Sequence, residues 1–396
     1  MIRIPITKPF FGEEEARAIR RPLETGWVVQ GPFVAEFERK FSTFTGVPHA
    51  VATSSCTAAL HIALAALGVR AGDEVIVPAF TWISTANVVE YLGATPVFCD
   101  IDLATFNIDP RQADALVTPR TVGIIPVHLF GLCADMDAIQ AVAGRHGLWV
   151  VEDAACGFGA WYRGRHAGTF GVAGCFSFHP RKSITTGEGG MITTRDARLA
   201  RTASSLRDHG ATQSDLSRHE GPGAFLLADY PHLGFNYRMT DIQGALGCAQ
   251  MDRARSVLAE RARVARGYDD ALRDLGWLRT PQTPEGCQHG YQAYVCLFAP
   301  EVPTPDNVER LGQLRNNLMS RLETAGIATR QGTHAPVLVD YYARKYAIAR
   351  ERFPNARIAD RLSLALPLYP QMTADDQRVV CQATRDLQPG VACPKP

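Results

Sequence analysis

Lys182 is the residue whose surroundings point most directly to chemistry. It closes the run Gly174-Cys175-Phe176-Ser177-Phe178-His179-Pro180-Arg181-Lys182 and stands just before Thr186-Gly187-Glu188-Gly189-Gly190. The apolar start of that run predicts a strand, the glycine- and proline-rich stretch a turn, and Met191-Ile192-Thr193 a second strand leaving on the far side. A lysine at the end of a buried strand is desolvated, which lowers its pKa and makes the amine nucleophilic. Such an amine forms a Schiff base with a carbonyl compound. An isolated loop lysine is more often a solvated charge, so the assignment needs partner residues.

Asp153 is the first partner. The run Leu148-Trp149-Val150-Val151 ends in Glu152-Asp153-Ala154-Ala155. In an open parallel sheet, ligands bind outside the carboxyl ends of the strands, so an acid there points at the site. A carboxylate in that place holds a pyridine nitrogen protonated, and together with a Schiff-base lysine it matches the needs of pyridoxal phosphate. Taken alone, Asp153 is equally well a helix cap or a salt-bridged strand end.

An anion cradle is the second requirement. Ala50-Val51-Ala52-Thr53 predicts a short strand and Ala58–Leu67 a helix that ends at Gly68, with Ser54-Ser55-Cys56-Thr57 as the turn between them. Free N–H groups and the helix dipole make such a terminus an anion site, and Thr57 can add a hydroxyl. Ordinary capping explains the same letters. Ser177, on the strand leading to Lys182, can supply another hydroxyl. Trp82, in Pro78-Ala79-Phe80-Thr81-Trp82-Ile83-Ser84, follows a further strand end and can stack on a flat ring, although core packing is the commoner fate of tryptophan.

These residues need a scaffold, and the chain reads as one. Strand-like runs at Asp73–Val77, Thr95–Cys99, Val122–Val127 and Trp149–Val151 alternate with helical segments at Ser84–Leu92, Pro110–Val117 and Met136–His146. That alternation predicts an α/β fold with a mostly parallel, doubly wound sheet. From Met251 the texture changes to a long charged helix reaching about Leu275, whose arginines and acids are expected on a solvated face. Ala293–Phe298 then reads as a strand and Asn307–Ala325 as a helix. The expected organisation is a large α/β segment at 1–250 and a connecting helix with a smaller α+β domain at 251–396. Gly157-Phe158-Gly159 lacks the third glycine of a nucleotide loop.

Composition sets outer bounds. With 396 residues the chain can bury a large core, and Lys plus Arg at 41 against Asp plus Glu at 40 leaves no bulk charge that favours nucleic acid or acidic membranes. Met1–Thr7 has no signal-peptide core and no apolar run reaches membrane-span length, so a cytoplasmic protein is expected. Ten cysteines without a Cys-x-x-Cys pair, and eleven histidines without His-Glu-x-x-His, predict reduced thiols and no metal site.

Several long motifs fall in the order of one family. They are Gly26–Pro32, Pro126–Gly131, Glu152–Ala155, Ser177–Lys182, Gly187–Gly190, Asn236–Asp241 and Leu366–Pro370, within a likeness running from Pro5 to about Leu387. The chain resembles the DegT/DnrJ/EryC1/StrS sugar aminotransferases, which use pyridoxal phosphate on the aspartate-aminotransferase fold (fold type I). The resemblance implies that Lys182 carries the Schiff base and Asp153 pairs with the pyridine nitrogen. It implies that Trp82 stacks on the ring and that Thr57, Ser177 and the Cys56 backbone hold the phosphate. Asn236 is expected to reach the phosphate of the partner subunit's cofactor, which makes a homodimer part of the site; His334 and Arg238 are candidates for substrate contact.

Two positions depart from the family pattern. Cys156 stands where many relatives have glutamine near the cofactor's phenolic oxygen, and Cys56 replaces a glycine, which requires that position 56 not have positive φ. The stretch Ala335–Asp340 after His334 is unusually apolar for a sugar-facing loop. The implied reaction is transamination from glutamate to a nucleotide-linked ketosugar, through pyridoxamine phosphate. A cyclitol or other natural-product ketone is the alternative acceptor. A pyridoxamine-dependent dehydratase is opposed by Lys182, since those relatives carry histidine there, and a non-catalytic regulator by the absence of a basic stripe. The sugar, the nucleotide, the carbon aminated and the donor's identity are not legible at this level.

Overall fold

The computed structural model describes residues 2–220 and 226–387; the tail of the second predicted segment, 388–396, lies outside the described residues. Seven strands form the central sheet: β1 (His49–Thr53), β2 (Glu74–Pro78), β3 (Thr95–Cys99), β4 (Thr121–Ile124), β5 (Trp149–Asp153), β6 (Ala173–Ser177) and β7 (Gly190–Thr194). Their order is β1-β7-β6-β5-β4-β2-β3. Strands β3, β2, β4, β5 and β6 pair in parallel, and β7 runs against both β6 and β1. Every residue of β2 and β7 is buried, as expected where helices cover both faces of a parallel sheet.

The predicted elements differ from the observed ones chiefly at their ends. The run expected to continue to Val127 leaves the regular ladder after Ile124, shortly before Pro126, which has no N–H to donate. The helix Cys56–Ala66 packs on the sheet through Ala59, Leu60, Ile62, Ala63 and Leu64, all essentially inaccessible to solvent. Truncating Leu60 to alanine there would cost about 2–5 kcal/mol.

The single charged helix expected from Met251 is two helices, Asp241–Asp252 and Ala254–Leu272, joined at Arg253. Its arginines are not all solvated. Arg261 is 2% exposed and sits in the same stripe as Val257, Val264 and Tyr268, with its Nε donating to the Tyr291 carbonyl at 2.8 Å. Its period with those apolar neighbours places it on the inner face. Beyond this helix, Leu278–Arg279, Tyr294–Phe298 and Ser363–Leu366 form a three-stranded antiparallel sheet flanked by the helices Val308–Thr324 and Pro354–Leu362. The chain is therefore α/β with a mostly parallel central sheet and a C-terminal α+β part. The N-terminal strand-like segment joins that second part: Ile4 bridges Ile327, and Leu368 donates to the Ile6 carbonyl at 3.0 Å.

Candidate active site

A cleft of about 470 Å³ opens where β5 and β6 end, in the size range of small-molecule sites. Cys56, Thr57, Trp82, Asp153, Cys156, Ser177 and Lys182 all line it, so seven of the residues singled out from sequence meet in one place.

Asp153 is the last residue of β5 and is 4% exposed. Its Oδ2 accepts from the Thr85 hydroxyl at 2.7 Å and its Oδ1 from the Ala155 N–H at 3.1 Å. Thr85 in turn lies 3.0 Å from the Thr81 hydroxyl. Donors on both oxygens fix the orientation of the carboxylate. Thr85 is a site residue that sequence reasoning missed; its one visible signal is its place one turn beyond Trp82.

Lys182 is half-buried, and its Nζ donates to Cys156 Sγ at 3.2 Å. The backbone turn before it is closed by the Lys182 N–H on the His179 carbonyl at 2.8 Å. The lowered pKa expected from sequence is not found. Burial pulls the amine down, but the neighbouring Cys156 sulfur, with the Asp153 carboxylate beyond it, outweighs burial and holds Lys182 above its ordinary value.

The anion cradle has the predicted form. Ser55 is the N-cap of the helix Cys56–Ala66, and its hydroxyl accepts from the Ala58 N–H at 3.1 Å. The N–H groups of Cys56 and Thr57 are left without an acceptor inside the helix. Cys56 has no positive φ, which meets the condition its departure from glycine imposed. Its thiol donates to the Cys175 carbonyl at 3.5 Å, and burial keeps it protonated. Under this turn passes Gly190, where a Cβ would lie 2.3 Å from the Ser55 carbonyl oxygen; only glycine lets β7 run that close.

Trp82 is 53% exposed, an unusual state for an indole that is not serving the core. Its ring centroid stands 5.7 Å from that of His334, and the Thr81 N–H donates to the His334 carbonyl at 3.0 Å. His334 thus flanks the cleft beside Trp82. Asn236 and Arg238 are elsewhere: Asn236 bridges Asp208 in a short backbone pairing, and Arg238 Nη1 meets Asp208 Oδ1 at 3.0 Å. Neither lines the cleft within one chain.

Behind the cleft, Glu152 and His128 are fully buried and 2.8 Å apart. Glu152 also accepts the N–H groups of Gly168 (2.6 Å), Phe170 (2.6 Å) and Gly171 (2.7 Å). His128 Nδ1 accepts from the Ala134 N–H at 3.1 Å, so the ring proton is on Nε2 and points at Glu152. This carboxylate is consumed by the fold, whereas its neighbour Asp153 faces the cleft.

Residues 9–385 match the DegT/DnrJ/EryC1/StrS aminotransferase family. The chain belongs to that family. Spore coat polysaccharide biosynthesis protein SpsC of Bacillus subtilis (strain 168) is 39% identical over 388 residues, covering 98% of this chain and 97% of SpsC. Among solved structures, the putative sugar aminotransferase Spr1654 from Streptococcus pneumoniae, in its PMP form, superposes with a TM-score of 0.89 at 27% identity, covering 97% of this chain and 99% of that one. DesV of S. venezuelae, solved with a ketimine intermediate, gives 0.86 at 31% identity, with 98% of each chain covered. The chain is accordingly a pyridoxal-phosphate-dependent aminotransferase of fold type I.

Proposed function

We propose that this enzyme moves an amino group from an α-amino acid, glutamate by family resemblance, to the keto group of a nucleotide-linked deoxysugar. The observation that carries the reading is the meeting of Lys182, Asp153 and the free N-terminus of the helix Cys56–Ala66 on one cleft. The residues fit pyridoxal phosphate: an amine for its aldehyde, an oriented acid for its ring nitrogen and two N–H groups for its phosphate. Support for a sugar acceptor is the likeness over nearly the whole chain to a polysaccharide biosynthesis protein.

When bound, the cofactor supplies a carbonyl carbon that exchanges amines and an electron-poor ring that stabilises a carbanion. Asp153 keeps a proton on the ring nitrogen, which preserves that electron demand. Thr57, Ser177 and the N–H of Cys56 would hold the cofactor's phosphate, Trp82 would cover its ring, and Cys156 would take the place beside its phenolic oxygen. Lys182 Nζ would hold the cofactor's carbonyl carbon and, as a free amine, would be the general base placed to take the donor's α-proton. The same amine would serve the ketosugar half-reaction, and two half-reactions at one site predict ping-pong kinetics. His334 and Arg238 contact substrate, and Asn236 reaches the phosphate held by the partner subunit in a cytoplasmic homodimer.

The test is Lys182→Ala with a panel of acceptors. The variant should bind pyridoxamine phosphate yet lose turnover; normal turnover would refute the role of Lys182. Glutamate-dependent amination of nucleotide ketosugars, with cyclitol ketones alongside, decides the acceptor, and a product that has lost oxygen instead of gaining an amine would exclude transamination.

A further inference from the structure

Cys156 and Lys182 hold two nucleophilic atoms of the cleft against each other. Lys182 Nζ lies 3.2 Å from Cys156 Sγ, both side chains are half-buried, and both line the cleft. Anchored turns build the contact. The Gly157 N–H closes onto the Ala154 carbonyl at 2.8 Å around Cys156, and the Lys182 N–H onto the His179 carbonyl at 2.8 Å. Among the described cysteines, Cys156 and Cys287 are half-buried and the others are buried. Cys287 does not line the cleft. Cys156 is therefore the described thiol that combines access from the cleft with an amine in contact. The glutamine that many relatives carry at this position has no comparable chemistry.

An accessible thiol is oxidised by peroxide to a sulfenic acid, and a sulfenic acid condenses with a neighbouring nitrogen to a sulfenamide. Here the nitrogen is already in place, and the flexible four-carbon stem of lysine lets it close on the sulfur. The sulfur attacks one oxygen of hydrogen peroxide, the O–O bond breaks, and the departing hydroxide takes a proton from the Lys182–Cys156 pair to leave as water. Nζ then attacks the sulfur, the S–O bond breaks and a second water departs. A thiol, an amine and one hydrogen peroxide thus give an S–N bond and two waters. The sulfur gives up two electrons and the peroxide takes them.

We propose that Cys156 is a peroxide-sensitive modification site, at which a reversible Cys156–Lys182 sulfenamide withdraws the amine that binds pyridoxal phosphate. Formation of the bond rests on the contact alone; its consequence rests on the role given to Lys182 above. Bound cofactor occupies the amine, so the site responds only while Lys182 is free.

Full-length apoenzyme is treated with a small excess of hydrogen peroxide, digested without reductant and mapped by mass. The peptides carrying positions 156 and 182 should appear joined, lighter by two hydrogens than their sum. Covalent uptake of pyridoxal phosphate, followed by absorbance, should fall in proportion to the joined fraction and return in full after dithiothreitol. Enzyme loaded with the cofactor before the peroxide should give no joined peptides. Cys156→Ser and Cys156→Ala should each form no bridge, and peroxide should leave the uptake of each at its own untreated level. Cys56→Ser should still form the bridge, which separates an S–N bond from a disulfide between the two thiols that line the cleft. Oxidation of Cys156 to sulfinic or sulfonic acid without a bridge, a disulfide from Cys156, or peroxide-sensitive uptake that persists in both Cys156 variants would overturn the assignment. A bridge that forms while uptake stays intact would instead bring down the role of Lys182.

Discussion

The contact between Lys182 Nζ and Cys156 Sγ, at 3.2 Å, makes a prediction about how the unloaded chain takes up its cofactor. Only the neutral amine attacks an aldehyde, and here the ammonium is favoured because the sulfur and the nearby acid outweigh burial. The rate at which apoenzyme binds pyridoxal phosphate covalently should therefore rise with pH across the neutral range, by up to about tenfold per pH unit below the lysine's pKa. Cys156→Ala removes the acceptor, and its profile should shift to lower pH; an unmoved profile would mean that the sulfur does not control the amine. Asp153 gives a second residue-scale prediction. Thr85→Val strips one donor from its Oδ2, and kcat should fall about tenfold, the worth of one hydrogen bond to a charge. Asp153→Asn should lose more, because it removes the charge itself; wild-type kcat in Thr85→Val would separate Thr85 from the mechanism. Lys182 and Asp153 were legible because strand ends announce themselves in sequence. Thr85 was not, since its partner lies 68 residues away and only the folded sheet sets them together.

Two family motifs that look unrelated in sequence turn out to be one structural joint. Asp241, in Asn236–Asp241, is fully buried and accepts the N–H groups of Gly31 (2.9 Å), Phe33 (3.2 Å) and Val34 (2.8 Å). It thereby caps the helix Pro32–Thr45 from more than 200 residues away, a helix whose own N-cap, Gly31, has no side chain to do so. Burial pushes this carboxyl above the usual range, and the three N–H donors resist that push. Because its folded pKa is raised, protonation favours the native state: the Asp241 contribution to stability is largest in acid and declines as pH rises from the unfolded pKa through the raised folded one. Asp241→Ala should lower stability by about 1–3 kcal/mol through unsatisfied N–H groups, measured by denaturant unfolding, with no change expected in the slope. A neutral outcome would show that water caps the helix equally well. Element identity was legible from alternation and glycine punctuation. Long-range caps of this kind were not, nor was the buried Arg261, because composition marks a helix as charged without saying which face a given charge occupies.

At the scale of the whole molecule, one chain holds an incomplete set of the residues assigned to the site. Asn236 and Arg238 stand outside the cleft, on a stretch where large apolar side chains face solvent: Val28, Val29, Leu226, Leu227, Tyr230 and Leu233. The segments are neighbours, since the Asp241 N–H donates to the Val28 and Val29 carbonyls and the Trp27 ring packs 5.3 Å from that of His219. Apolar surface gathered in this way marks an interaction face. If a second copy covers it in a two-fold dimer, each site draws Lys182 from one subunit and Asn236 from the other. Co-expressing Lys182→Ala with Asn236→Ala, each inactive alone, then creates mixed dimers in which one site carries both defects and the other carries neither. Random pairing makes half of the dimers mixed, so about a quarter of wild-type specific activity should return. Had Lys182 and Asn236 served a site within the same chain, every site in a mixed dimer would carry one defect, and no activity would come back even with heterodimers verified by mass. The same experiment thus tests the shared site and the solvent-facing apolar stretch that argues for it.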